Sequence, residues 1–295
     1  MNAAGITIVA CAALVTSALP AHAQRTVSER IAAAPDGYVR VNNIAGSVKV
    51  TAWDRDSIAV NGTVHDTQSE RFAVTRGTDG VIVGLWDTTV ERAEPSQVDV
   101  RVPAGSRVWV RTGSSSMFVS GITGDVVVSS VGGDIEVRGT PSQVFAETMT
   151  GRVTLDVRTA VARAKSVTGP ILLRGTITDA GATSVSGNVL IEDAVIERGS
   201  FESTNGELRF VGQLRRGAGL DFVTHAGAVV FLLPAASDAV FSVITFEGSL
   251  RSEFTAPIRT NVSKIKGSEQ GFTLGQGSAR VNVRTFRGRV VVRSR

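Results

Sequence analysis

Val144-Phe145-Ala146-Glu147-Thr148-Met149-Thr150-Gly151-Arg152-Val153-Thr154-Leu155-Asp156-Val157-Arg158-Thr159-Ala160-Val161 decides the fold, because its frame returns along most of the chain. Val144, Ala146 and Thr148 alternate with outward residues, Thr150-Gly151 breaks the run, and Val153, Leu155 and Val157 alternate again. Residues two apart lie on the same side of an extended strand, so both triplets face one interior. Arg158-Thr159-Ala160 then reads as a second turn leading into the next unit.

The frame is anchored by Gly133, Gly151, Gly169, Gly187, Gly206, Gly227, Gly248 and Gly288. Three residues before each stands Ser130, Thr148, Ser166, Ser184, Ser203, Thr224, Thr245 or Thr285. Five before stands an apolar residue, and two after an aliphatic one, as Val128 and Ile135 do around Gly133. The intervals are 18, 18, 18, 19, 21, 21 and 40 residues. A constant period with two strands per unit and no helical periodicity predicts an all-β chain of stacked units. Hairpins need no fixed register, whereas stacked coils do, because each inward residue must sit on its counterpart. The expected fold is therefore a single-stranded parallel β-solenoid of ~18–21-residue coils with two short strands each.

This arrangement places the Ser/Thr column inside. Hydroxyls stacked there can bond along the column or to backbone, which avoids the ~1–3 kcal/mol penalty of a lone buried hydroxyl. The glycines are expected at corners that need a positive φ.

The N-terminal part carries a weaker copy. Around Gly46, Val41, Val48 and Val50 hold the apolar slots and Asn43 replaces the hydroxyl. Around Gly113 the frame blurs into Ser114-Ser115-Ser116. Between them, residues 58–64, 72–74, 81–85 and 98–102 read as strands, with turns at Gly77-Thr78-Asp79-Gly80 and Pro103-Ala104-Gly105. The expected organisation is a signal peptide over 1–23, an irregular or sandwich-like β cap over 24–112, and a regular solenoid over 113–295 with an insertion at 251–280. Caps are needed because an open coil exposes unpaired strand edges.

Residues 6–19 form an almost uncharged apolar run, followed by Ala21-His22-Ala23, which suits export with cleavage before Gln24, although no Lys or Arg precedes Arg25. Cys11 is the single cysteine; it falls inside that segment and reads as apolar filler rather than a lipidation site. The exported chain then has neither a disulfide nor a thiolate metal site, and no membrane span. Net charge is +4, yet residues 251–295 hold ten Lys/Arg and two acids, +8, so the remainder carries −4. Solvated Arg on outer strand faces explain this simply. An anionic lipid surface or acidic glycan is the alternative; nucleic acid does not suit an exported chain.

Val98-Asp-Val-Arg-Val-Pro103, Gly121-Ile-Thr-Gly-Asp-Val126 and Val131-Gly-Gly-Asp-Ile-Glu-Val137, with Ser-Val-Thr-Gly and Ser-Val-Ser-Gly, carry a resemblance. In these phrases the chain resembles the bacterial putative-adhesin family of β-strand repeats, a domain of unknown function related to auto-transporter adhesin heads. The resemblance covers roughly residues 37–295. It implies an exported β-solenoid without established catalytic residues.

No HExxH, GxSxG, P-loop or dinucleotide fingerprint occurs. The acids Asp125, Asp134, Glu136, Glu147 and Asp156 could serve a glycan-cleaving pair, but they occupy different frame positions and form no column. Asp134 and Asn188 share a slot that Arg152, Pro170 and Glu207 also fill, as a solvated turn would. Gly132-Gly133-Asp134 matches a calcium repeat once, where several copies are needed. His65 and His225 are the histidines beyond the signal segment; His225 lies two before Gly227, an outward slot, and reads as a surface imidazole. Tyr38, Trp53, Trp86 and Trp109 precede the regular units, and burial of the tryptophans in the cap is expected over display to sugars. No catalytic, cofactor-binding or metal-binding residue is assigned, and no cofactor. The expected function is an exported, non-catalytic, adhesin-like envelope module that binds an envelope glycan, an anionic surface or another envelope protein. A polysaccharide lyase or hydrolase and an accessory of an envelope-stress or signalling system are the alternatives.

Overall fold

The computed structural model describes residues 24–65, 72–78, 80–85, 94–263 and 267–295. The expected signal peptide with Cys11, and Trp86, lie outside the described residues. Every element among the described residues is a β-strand, and 24 strands join one sheet that mixes parallel and antiparallel pairs. The N-terminal strands are β1 (Gln24–Ala32), β2 (Tyr38–Asn43), β3 (Gly46–Trp53), β4 (Ser57–His65), β5 (Phe72–Arg76), β6 (Gly80–Leu85) and β7 (Ser96–Pro103). The repeats begin with β8 (Arg107–Thr112), β9 (Ser116–Ser120), β10 (Val126–Ser130), β11 (Ile135–Gly139) and β12 (Gln143–Thr148). Then follow β13 (Val153–Ser166), β14 (Ile171–Ser184), β15 (Val189–Ser203), β16 (Leu208–Val211), β17 (Gly219–Thr224) and β18 (Val229–Leu233). The chain closes with β19 (Ala239–Thr245), β20 (Ser249–Ser252), β21 (Arg259–Ser263), β22 (Gly267–Leu274), β23 (Ala279–Thr285) and β24 (Arg289–Ser294).

Each unit pairs in parallel with the next in the register that the frame dictates. Val126 lies beside Val144, Val144 beside Ala162 and Ala162 beside Ala180; Ile135 lies beside Val153, and Val153 beside Ile171. Inward residues thus stack like on like, and Val128, Ala146, Ala164, Ala182, Ile135, Leu155 and Leu173 are buried in one continuous core. The Ser/Thr column is buried with them.

Four details depart from the sequence expectation. First, Arg158-Thr159-Ala160 is not a break. β13, β14 and β15 each run unbroken for 14 or 15 residues through the second corner. In β13 the buried positions are 153, 155, 157 and 159, then 162, 164 and 166. A one-residue phase slip turns the interior to a new face without a loop. The 19-residue interval has a related cause: between β14 and β15 the register slips after Leu173, and Asp193, at φ 47°, is the extra residue.

Second, none of the eight frame glycines has φ in the left-handed region. Close approach demands them instead. A Cβ on Gly169 would lie 1.8 Å from the Gly151 carbonyl oxygen, and one on Gly187 would lie 2.0 Å from that of Gly169. The buried hydroxyls bond mainly to backbone: Gly133, Gly187, Gly206 and Gly227 donate N–H to Ser130, Ser184, Ser203 and Thr224 at 2.8–2.9 Å. Only Thr112 and Ser130 bond along the column, at 3.0 Å.

Third, the blurred repeat is offset. Thr112 pairs with Ser130 and Met117 with Ile135, so Ser115, not Gly113, takes the glycine slot. The Ser115 hydroxyl accepts from the Asn43 amide at 2.9 Å, and the Asn43 carbonyl oxygen accepts from Ser96 at 2.6 Å. Asn43 is thus the buried knot joining three turns.

Fourth, sequence order is not stacking order at either end. β2 lies between β8 and β6, and β3 between β9 and β7, so the chain lays its second rung first. At the other end β17 and β18 pair with β23 and β24, which then pair with β19 and β20. The Gly288 rung is therefore inserted between those of Gly227 and Gly248. Antiparallel strands β1, β4 and β5 flank the N-terminal end, and β21 and β22 the other. These pairings consume edge hydrogen-bonding groups that an open stack would leave exposed.

Candidate interaction surface

The corner that follows the hydroxyl column presents a single file of side chains to water, apolar at every rung but those of Thr204 and His225. At each turn from Val131 to Phe286 the carbonyl of the residue two before the glycine slot accepts backbone N–H from the next rung. Val131 O accepts from Met149 and Thr150, and Met149 O accepts from Val167 and Thr168. With its backbone tied inward and its neighbour the buried hydroxyl, this residue must point its side chain outward. Following the bonds gives Val131, Met149, Val167, Val185, Thr204, His225, Phe286 and Phe246 in spatial order. Val131 is 57% exposed, Met149 53% and Phe246 48%. At about 4.8 Å per rung the column runs roughly 34 Å.

Its C-terminal end is aromatic. The His225 and Phe286 rings stack at 5.0 Å and 2°, and Phe286 and Phe246 at 5.1 Å and 7°. Sequence reading placed His225 in an outward slot, and it is exposed there. What it missed is that Phe286 and Phe246 become its neighbours, because the inserted rung is not visible in a linear frame. The signal that could have found the column was present: Val131, Met149, Val167 and Val185 share one frame position and are apolar where a solvated turn would be polar.

A second outward row crosses strands β2, β8, β10, β12 and β13. Register aligns Arg40, Trp109, Val127, Phe145 and Arg163. Trp109 sits between the inward Val108 and Val110, so it faces out and is half-buried, with the Arg40 guanidinium 4.1 Å from its ring centroid. Trp53 is likewise half-buried, with Arg30 and Arg55 over its ring at 5.2 and 5.3 Å. Neither tryptophan enters the core, contrary to expectation, because strand alternation that turns Val108 and Val110, and Val48 and Val50, inward turns Trp109 and Trp53 outward. Tyr38 is half-buried, and desolvation raises its phenol above the ordinary value against the opposing pull of Arg40.

The candidate acids are spread. Asp134 accepts the Arg152 backbone N–H at 2.8 Å, and Asn188 does the same for Glu207 at 2.9 Å. Their shared slot is thus a clamp between rungs. Asp125 accepts from the Ser142 hydroxyl, and Glu136 pairs with Arg138. Glu147 stands beside Lys165, and Asp156 lies in register between Arg138 and Arg174. No group of three His, Cys, Asp or Glu among the described residues could hold a metal. His65 pairs in register with Gln24 at the β1–β4 edge, on the opposite end of the stack from His225. One shallow cleft of about 480 Å³ is lined by Asp193, Gly212, Gln213, Pro234 and Arg295.

Two solved structures share this fold. A putative adhesin from Parabacteroides distasonis aligns with TM-score 0.56 and 12% identity over 92% of this chain and 97% of that one. A putative adhesin from Parabacteroides merdae aligns with TM-score 0.56 and 10% identity over 92% and 96%. No family model matches the chain, and no curated protein matches its sequence. At these identities the likeness is one of fold.

Proposed function

We propose that the chain is a parallel β-solenoid exported to the cell envelope or cell surface, where it acts as a non-catalytic interaction module of the adhesin kind. The single observation that carries this is the exposed column from Val131 to Phe246, apolar at six of its eight rungs and interrupted at Thr204 and His225. A folded chain gains nothing in stability from leaving valine, methionine and phenylalanine in water at the same slot of successive rungs. Contiguous exposed apolar surface marks a contact site. The stacking of rungs supports the same reading, since such scaffolds offer long shallow faces rather than deep pockets. The apolar segment 6–19 followed by Ala21-His22-Ala23 supports export. The bonding of Asp134 and Asn188 to backbone supports a non-catalytic role for the slot best placed to gather acids.

The test is retention of the purified, folded protein on isolated envelope fractions and glycan arrays. Retention that falls in Met149→Ser and Phe246→Ser variants is the expected result. A folded protein that no envelope fraction or glycan retains overturns the reading. New reducing ends or unsaturated products on incubation with acidic glycans, lost in Glu136→Gln, would instead establish a lyase or hydrolase.

A further inference from the structure

The apolar column changes character at its C-terminal end. The rung inserted between those of Gly227 and Gly248 carries Arg284-Thr285-Phe286-Arg287-Gly288-Arg289. Thr285 and Gly288 are buried, while Phe286 and all three arginines are exposed. Among the described residues none of the three arginines makes an ion pair. Phe286 is held edge-outward between the parallel rings of His225 and Phe246. One turn thus sets three unpaired cations around a ladder of three stacked rings. The residues that share the corner on the preceding rung are Val223, Ala226 and Ala228, and Glu247 is the acid beside Phe246.

We infer that this turn is a membrane-contact site that seats on an anionic phospholipid surface, a partner that rests on the interaction-module reading above and makes it specific. Two features of the turn favour a bilayer. The charge is complementary: arginines beside an anionic surface are attracted to phosphate, and exposed aromatic rings enter the headgroup boundary. The shape is that of a ridge. The column is one residue wide on a convex corner, flanked by Thr150, Thr168 and Ser186. Two such ridges would touch along a line and bury far less than the ~800 Å² per partner of a stable protein interface. A deformable lipid surface closes around a convex edge without needing a matching groove. The site also differs from one for sugar stacking, because Phe286 has both ring faces covered by His225 and Phe246.

The experiment is flotation of the purified exported protein with vesicles of equal parts phosphatidylglycerol and phosphatidylcholine, and with phosphatidylcholine alone. Binding to the anionic vesicles is expected, falling steeply with salt and at least about tenfold weaker on neutral ones. Arg284→Gln, Arg287→Gln and Arg289→Gln together should lower affinity about a hundredfold. Phe286→Ser should lower it about tenfold, and Val131→Ser, at the far end of the column, much less. Unchanged thermal melting shows that each variant is folded; were Phe286→Ser to unfold, the arginine variants still decide. Equal flotation with both vesicle types, or undiminished binding by the triple variant, overturns the assignment. So does a dimer in solution that Phe286→Ser dissolves, since a second copy would then cover the ladder. A folded protein that ignores anionic vesicles yet is retained on envelope glycan overturns the lipid site and leaves the interaction module standing. Failure on vesicles, envelope and glycan alike overturns both.

Discussion

The rungs of Gly151, Gly169 and Gly187 and those of Gly206 and Gly227 follow one frame but fill it differently. In the first set the slot five before the glycine holds Ala146, Ala164 and Ala182; in the second it holds Phe201 and Phe222. The slot four after changes in step, from Leu155, Leu173 and Ile191 to Phe210 and Phe231. The rings interlock, with Phe201–Phe222 centroids at 5.0 Å and Phe222–Phe231 at 4.9 Å. Where alanine lines the interior the period is 18, and the strand passes the second corner with a phase slip. Where phenylalanine lines it the period is 21, and the corner between Val211 and Gly219 becomes a loop. A wider core needs a longer perimeter, so the period reports the volume of the interior. Asp193, the extra residue of the 19-residue step, marks the change from one cross-section to the other.

The largest effect lies in the narrow rungs. Gly169→Ala puts a methyl 1.8 Å from the Gly151 carbonyl oxygen and 2.7 Å from that of Thr150, and since both are backbone neither can yield cheaply. Loss of more than about 4–5 kcal/mol is expected, read as failure to yield folded protein. Gly219→Ala, at the start of a wide rung, meets nothing within 4 Å and should melt no lower than the parent. Equal damage from the two would show that glycine serves flexibility rather than close stacking.

Core substitutions come next. Phe222→Ala should cost about 3–5 kcal/mol in denaturant unfolding, since Phe201, Phe210 and Phe231 all lose a ring neighbour and the rung cannot collapse. Ala164→Phe, a ring forced into an 18-residue rung, should cost at least about 1–3 kcal/mol by overpacking. A tolerated Ala164→Phe would break the link between perimeter and core volume.

The hydroxyl column offers a smaller and more discriminating pair. Ser184 accepts the Gly187 N–H at 2.8 Å, whereas the Ser166 hydroxyl is buried with no partner among the described residues. Ser184→Ala should cost about 1–3 kcal/mol, because it orphans a buried donor. Ser166→Ala removes a hydroxyl that gains no bond, and its melting temperature should hold or rise. Identical losses at both sites would mean that the column acts as a ladder of hydroxyls rather than as separate turn caps.

Much of this was legible in order and little of it in space. Period, inward slots and the buried hydroxyls follow from residue types two apart, because strand alternation is local. The reason for the frame glycines was not legible: a glycine forced by a carbonyl on the next rung and one forced by positive φ look the same in sequence. Nor was the placement of Gly113, since Thr112-Gly113-Ser114-Ser115 offers two frames and only pairing with Ser130 chooses. The order of the end rungs escaped for a deeper reason. The Gly288 rung fits the Gly227 rung no better by pattern than the Gly248 rung does, and long-range pairing alone decides. The aromatic ladder of the candidate site depends on that decision, so its histidine could be placed outward while its two phenylalanines could not be joined to it.

The inserted rung needs a tie that the regular rungs do not, because its neighbour on the outer side was laid down earlier in the chain. Asp238 supplies one. Its carboxylate accepts the Ser278 N–H at 3.0 Å, while its carbonyl accepts the Ser278 hydroxyl and the Ala279 N–H, both at 3.2 Å. The first residues of β19 and β23 are thereby pinned together. The hydrogen bond from the Ser278 backbone N–H, foremost, holds the carboxyl below its ordinary value of 3.8. A depressed folded-state pKa contributes stability that is present above the unfolded value and lost as pH falls through the folded one. Melting temperatures of the parent and Asp238→Asn should therefore differ slightly at neutral pH and converge in acid, below the ordinary carboxylate range. A gap between parent and variant that persists unchanged into strong acid would mean that the charge of Asp238 plays no part in fastening the last rungs.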